Sequence, residues 1–243
     1  MPSPHSAHSA AHRTKDTPHG AAPDGRPPRT AAATPVRTCT VFAGLSALLL
    51  VAVALAWSPL MSFDRAVVDA LHDSAVAEPT FTQVNRVLTD WVWDPWTMRL
   101  LAAAAFVWLW LRGERVLGVW VAVTTGVGAV LQQGVKALVG RERPQWPDPV
   151  DSAHYAAFPS GHAMTAVVTC GLLLWLCRRR GATGRTWAWC VAAAVVSVAG
   201  VGFTRLYLGV HWPSDVVGGW LLGVCVVALA VASYRRGALS RGH

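Results

Sequence analysis

Charge is scarce in this sequence. Asp, Glu, Lys and Arg make up 14% of its 243 residues, where a water-soluble domain carries about a quarter. With 53% of the chain hydrophobic, an ordinary soluble domain is excluded and a membrane protein comes first. Paired cysteines are missing too. Cys39, Cys170, Cys177, Cys190 and Cys225 lie in or beside apolar runs, without the close spacings of a zinc site or a disulfide framework. They read as small apolar residues of a bundle. No carboxylate cluster suited to magnesium stands beside the basic residues. The net charge of +8 does not point to nucleic acid, because the basic residues sit in short segments between apolar runs rather than on one soluble surface.

What the chain does have is long apolar stretches. Residues 38–57, 116–139, 163–177, 187–203 and 216–234 approach or exceed the roughly 20 residues that cross a hydrocarbon core. A shorter sixth, 98–111, has Trp93, Trp96, Trp108 and Trp110 at its ends, as interfacial anchors would be. The expectation is an all-α membrane bundle of six transmembrane helices over 38–234, with a disordered basic tail at 1–37 and a short tail at 235–243. Residues 1–37 lack apolar periodicity and cannot offset the entropy of ordering. Their histidines, His5, His8, His12 and His19, are too irregularly spaced to argue for a metal. The first apolar run reads as a retained span, since a polar leader of this length is long for a signal peptide. In the polar segment 58–96, residues 63–71 carry apolar positions at helical spacing and suit a helix on the membrane surface. Six spans put both termini on one side, and fourteen of the 21 lysines and arginines fall there. The positive-inside rule makes that side cytoplasmic. An integral plasma-membrane protein with its outward loops after the third and fifth spans is expected.

Three motifs stand at span ends on the outward side. They are Lys136 with Arg143-Pro144; Pro159-Ser160-Gly161-His162; and Thr204-Arg205, then His211 and Asp215. Singly, each residue has a plain structural role as an anchor, a helix-start residue or a buried pair. Gathered on one face they make a site. Two guanidinium groups and an ammonium suit the charged oxygens of a phosphoryl group. The backbone N–H groups of Ser160 and Gly161, at a helix start, would point at the same anion. His211 and Asp215 are four apart, with Pro213 in the first turn of a helix. The carboxylate can then fix the imidazole tautomer and leave the other nitrogen free to attack phosphorus, with His162 as general acid.

These motifs, KALVGRERP from Lys136, PSGH from Pro159 and TRLYLGVHWPSD from Thr204, resemble the signature of the type-two phosphatidic acid phosphatase family, which also includes bacterial acid phosphatases and vanadium haloperoxidases. All three spacings agree; Thr204 stands where the family usually has Ser. The resemblance implies that Lys136, Arg143, Ser160, Gly161 and Arg205 bind phosphate. It implies that His162 protonates the leaving group, His211 forms phosphohistidine and Asp215 orients it. It also implies that neither metal nor cofactor is needed. The expected activity is hydrolysis of a membrane lipid phosphate or diphosphate at the extracytoplasmic face, of phosphatidic acid, phosphatidylglycerophosphate or polyprenyl (undecaprenyl) diphosphate type. The alternatives are a lipid phosphotransferase using the same site, or a non-catalytic transporter or scaffold. Vanadate-dependent halide oxidation ranks below these, since its known soluble enzymes lack this transmembrane layout.

Overall fold

The computed structural model of the protein describes residues 29–240. Among them the chain forms eight α-helices and no strand. In order these are α1 (Arg29–Ala54), α2 (Ser58–Ala77), α3 (Pro79–Val87), α4 (Pro95–Leu111), α5 (Arg115–Val139), α6 (Gly161–Arg179), α7 (Gly184–Tyr207) and α8 (Pro213–Ser240). A π-helical turn, Leu88–Val92, joins α3 to α4. Five helices are long and apolar enough to cross a membrane: α1, α5, α6, α7 and α8. The expected sixth span lies in α4, whose 17 residues make about 25 Å of helix against a hydrocarbon core of about 30 Å.

The polar segment 58–96 is mostly helical. The expected helix at 63–71 is the centre of α2, and Asp64, Val68, His72 and Ala75 form its buried face. Two boundaries differ from expectation. Residues 29–37, expected in the N-terminal tail, are the first turns of α1. The alanines at 31–33 are strong helix formers and outweigh Pro35 inside the helix. Residues 1–28, with their histidines, lie outside the described residues. At the other end α8 continues through 235–240.

Two devices fix where the end of α5 meets the starts of α6 and α8. Gly140 closes α5 in the left-handed conformation at φ 58°, its N–H bonded to the carbonyl of Lys136. That turn sends residues 141–160 back across the bundle. In addition α8 approaches α6 closely at glycine positions. A Cβ on Gly219 would come within 2.6 Å of the Ser160 carbonyl oxygen, and one on Gly223 within 2.8 Å of the Val167 side chain. The four-residue spacing of these glycines is the small-residue pattern of close helix pairs in membranes. The start of α6 is thereby pressed against the start of α8.

The interior behind this contact is an apolar cluster including Leu109, Val121, Met164, Val168, Leu172 and Val226, drawn from α4, α5, α6 and α8. Outside, Leu48, Leu100, Val130, Leu138 and Leu229 are all more than half exposed, as flanks solvated by lipid would be. The cysteines are free and half-buried. Cys225 meets the Cys39 carbonyl at 3.8 Å where α8 packs on α1, which fits the packing role read from the sequence.

Gly219→Ala should lower stability by about 1–3 kcal/mol through overpacking. Gly134→Ala, at a helical position with nothing within 4 Å, should be neutral or stabilising by about 0.5–1 kcal/mol. Thermal unfolding of both variants in detergent checks the contrast.

Candidate active site

Lys136 at the end of α5, Arg143 in the following loop, Gly161 and His162 at the start of α6, Arg205 near the end of α7 and His211 in the turn before α8 line one cavity of about 210 Å³. Residues separated by up to 75 positions in sequence are thus brought to one place, at the end of the bundle where α4 and α6 begin. His211 is 2% exposed and Arg205 4%, so their charges and ring nitrogens address the cavity rather than bulk water.

The His211 ring is held at both nitrogens. Nδ1 lies 3.3 Å from Asp215 Oδ2, and Nε2 lies 3.1 Å from Arg143 Nη1. A guanidinium can only donate, so Nε2 is the acceptor and the proton resides on Nδ1, facing the carboxylate. Burial, reinforced by the charges of Arg143, Arg205 and Lys136, keeps the imidazole well below its ordinary pKa. The ring is neutral, with its Nε2 lone pair on the cavity side.

The cations are anchored by protein oxygens. Lys136 donates to the Ala156 carbonyl. Arg143 donates to the carbonyls of Val210 at 2.5 Å and Tyr155 at 2.9 Å. Burial, and then the nearby Arg205 charge, lower its pKa to about 10, which leaves it charged at neutral pH. Arg205 donates to Thr89 Oγ1 at 3.1 Å and lies 3.9 Å from Asp151, while its buried Nε has no partner among the described residues. The ring of His162 makes no hydrogen bond to a described residue. Thr204 Oγ1 donates to the Val201 carbonyl at 3.0 Å, a backbone role that either hydroxyl residue can fill.

Ser160 is the exception. It does not line the cavity, and its backbone N–H donates to the Asp215 carbonyl at 2.9 Å. Its N–H is therefore not available to an anion, contrary to expectation. The close approach of α6 and α8 has consumed it, and its Oγ accepts from Ala163 N as the α6 cap. Gly161 does border the cavity. A Cβ there would meet Gln132 Nε2 at 2.6 Å, so only glycine leaves that amide in place.

Two charged residues of the site went unrecognised in the sequence. Arg141 donates to Asp215 Oδ1 at 2.7 Å, to Asp64 Oδ2 at 2.7 Å and to Ser214 Oγ at 2.6 Å. Both carboxylates are fully buried, and Asp64 also accepts from the N–H and hydroxyl of Ser214. One guanidinium therefore ties α2 and α8 together behind His211. The available signal was Asp64 itself, a charge on the apolar stripe of α2. A further clasp holds the loop: His72 stacks on Trp146 with centroids 3.9 Å apart, and Trp146 Nε1 donates to the Gly209 carbonyl at 2.9 Å.

Comparison with known proteins gives one family. The family model of the PAP2 superfamily matches residues 116–237, the stretch holding all three motifs. An undecaprenyl-diphosphatase of Sulfolobus acidocaldarius is 29% identical over 151 residues, 58% of this chain and 63% of that protein. A decaprenylphosphoryl-5-phosphoribose phosphatase of Mycobacterium tuberculosis is 35% identical over 114 residues, 44% of this chain and 58% of that protein. The aligned region thus spans about three fifths of either relative. The crystal structure of a transmembrane PAP2 type phosphatidylglycerolphosphate phosphatase from Bacillus subtilis has the same fold, with a TM-score of 0.69 at 23% identity over 83% of this chain and 96% of that one.

Arg141→Ala leaves two buried carboxylates without their counter-charge and should cost about 3–5 kcal/mol. Arg141→Lys keeps the charge but cannot fork between Asp64 and Asp215, so it should recover only part of that loss. Chemical or thermal unfolding of the two variants in detergent measures the difference.

Proposed function

This chain belongs to the PAP2 superfamily, and from that premise we propose that it is a membrane phosphatase hydrolysing a lipid phosphate or diphosphate through a phosphohistidine. The observation that carries the reading is the His211 ring, neutral and buried, with Nδ1 on Asp215 and Nε2 facing a cavity lined by Lys136, Arg143 and Arg205. The printed names of the relatives, an undecaprenyl-diphosphatase and a decaprenylphosphoryl-5-phosphoribose phosphatase, support a polyprenyl-linked phosphate as substrate.

In the proposed cycle the phosphoryl oxygens are bound by Lys136, Arg143 and Arg205 and by the N–H of Gly161. Arg143 exchanges its bond to Nε2 for one to the substrate. Nε2 attacks phosphorus, the bond from phosphorus to the leaving oxygen breaks, and His162, having taken a proton from the entering phosphoryl group, gives it to that oxygen. Asp215 stabilises the charge that develops on the His211 ring. A water molecule then loses a proton to His162 and attacks phosphorus. The N–P bond breaks, inorganic phosphate leaves carrying the proton held by His162, and both imidazoles return to their neutral starting states. Ser160 serves by holding α6 on α8, and no step needs a metal ion. We place the site on the extracytoplasmic face of the plasma membrane, with α4 as a sixth, short span and both termini cytoplasmic. The support is the excess of Lys and Arg in the segments assigned to the cytoplasmic side.

Protein purified in detergent should release phosphate from a panel of lipid phosphates and diphosphates, with EDTA present as well as absent. His211→Ala should lose at least about 10⁴-fold in rate, as removal of a nucleophile does. Full activity in that variant overturns the reading, and a labelled phosphorylated acceptor in place of free phosphate reassigns the protein as a transferase.

The pH profile is a separate check. Burial and the surrounding cations hold the folded-state pKa of His211 below the ordinary 6.5, so its ring gains a proton only at lower pH than a free imidazole does. An acid limb of kcat/KM attributable to His211 therefore lies below about 6.5. A limb centred at 6.5 that is carried by His211 would contradict the buried neutral ring.

A further inference from the structure

One cation of the cavity has no task in the cycle above. Arg99, in the first turns of α4, lines the cavity and makes no hydrogen bond or ion pair with a described residue. Its contact is with a ring: the guanidinium carbon lies 5.2 Å from the centroid of Trp96. Lys136, Arg141, Arg143 and Arg205 all donate to protein oxygens. No carboxylate is among the residues lining the cavity, so the Arg99 charge faces a space that other cations already make positive.

Its location gives the charge a direction. Arg99 and Gln132 border the polar cavity and also a narrow slit that runs on between α5 and α6, past Thr125, Gly128, Met164 and Val168. Inside, the slit has room for about one water molecule, some 10 Å³, so a lipid chain could lie only along its mouth between α5 and α6. An amphiphile whose terminal phosphorus sits at His211 Nε2 has its leaving group on the far side of phosphorus from that nitrogen, in line with the attack. An apolar chain lying along the mouth of that slit, between α5 and α6, would carry the leaving group past Arg99. In a phosphate monoester the atoms at that point are the ester oxygen and the first carbons, which carry no charge to pair with a guanidinium. In a diphosphate they are the second phosphate.

We propose that Arg99 binds the lipid-proximal phosphate of a lipid diphosphate, so that this side chain sets a preference for diphosphate over monophosphate at the same site. The assignment rests on the phosphatase reading above. Bound there, the proximal phosphate receives a forked, charge-assisted donor. The covalent step is unchanged. His211 takes the terminal phosphoryl group, the bond between terminal phosphorus and bridging oxygen breaks, and the lipid monophosphate departs. The Trp96 face holds the guanidinium in position meanwhile.

The test compares one polyprenyl chain carrying either a monophosphate or a diphosphate, with kcat/KM for phosphate release measured on wild type, Arg99→Gln and Arg99→Lys. Thermal unfolding of each protein serves as the check on folding. The ratio of diphosphate to monophosphate activity should fall about 10- to 100-fold in Arg99→Gln, the size expected for a lost charge-assisted bond. Arg99→Lys should fall between the two. An unchanged ratio, whether both activities drop together or neither does, overturns the assignment and leaves Arg99 an interfacial anchor on Trp96. If wild type cleaves neither lipid, the phosphatase reading fails, and binding decides the matter. His211→Ala protein must then retain the diphosphate lipid over the monophosphate in native mass spectrometry, and His211→Ala/Arg99→Gln must lose that preference. Equal retention by both proteins sinks the proposal.

Discussion

The end of the bundle that holds the cavity is organised by one carboxyl residue with no exposure to solvent. Asp215 accepts from Arg141 on one oxygen, and from the Trp212 N–H and the His211 ring on the other. Its backbone carbonyl receives the Ser160 N–H at the start of α6. A buried carboxylate is tolerated only when its lone pairs are used, and the partners of Asp215 come from three parts of the chain. Arg141 belongs to the loop after α5, Ser160 to α6 and His211 to the turn after α7. Satisfying Asp215 therefore requires the site to be assembled, so packing and chemistry share one set of bonds.

The glycine contact between α6 and α8 makes that assembly reachable. The Ser160–Asp215 bond needs the two helix starts to be nearly touching, and the Gly219 and Gly223 positions have no room for a Cβ. In lipid, apolar burial gives helices little reason to associate, so close backbone approach and buried polar bonds carry more of the association. The clasp of His72 on Trp146, and of Trp146 on the Gly209 carbonyl, does the corresponding work for the loop that carries both Arg141 and Arg143.

Much of this was legible in the sequence because charge in an apolar chain is conspicuous. Lys136, Arg143, His162, Arg205 and His211 stand out at the ends of hydrophobic runs, and they border one cavity. The helical character of 58–92 was only partly legible, since its short amphipathic pieces lack the length that marks a span. Arg141 was overlooked because in sequence it is one more arginine in a basic loop; its three acceptors lie 73 to 77 positions away. Ser160 was misread for the complementary reason. A helix start normally offers its N–H groups to an anion, and only the packing of α8 reveals that this one is already taken.

The positive charges around His211 act in two ways that follow from one placement. They attract an anion, and they also oppose protonation of the ring they surround. Burial alone lowers the imidazole pKa, and Arg143, Arg205 and Lys136 lower it further. The His211 ring in such a cavity keeps its Nε2 lone pair for as long as no anion balances the cations. The unpartnered buried Nε of Arg205 fits the same logic. An unsatisfied donor is costly in a folded protein, and here an incoming oxygen anion would remove that cost at the moment of binding. The residues that make this end of the bundle expensive to fold are those whose charges an anionic headgroup would compensate.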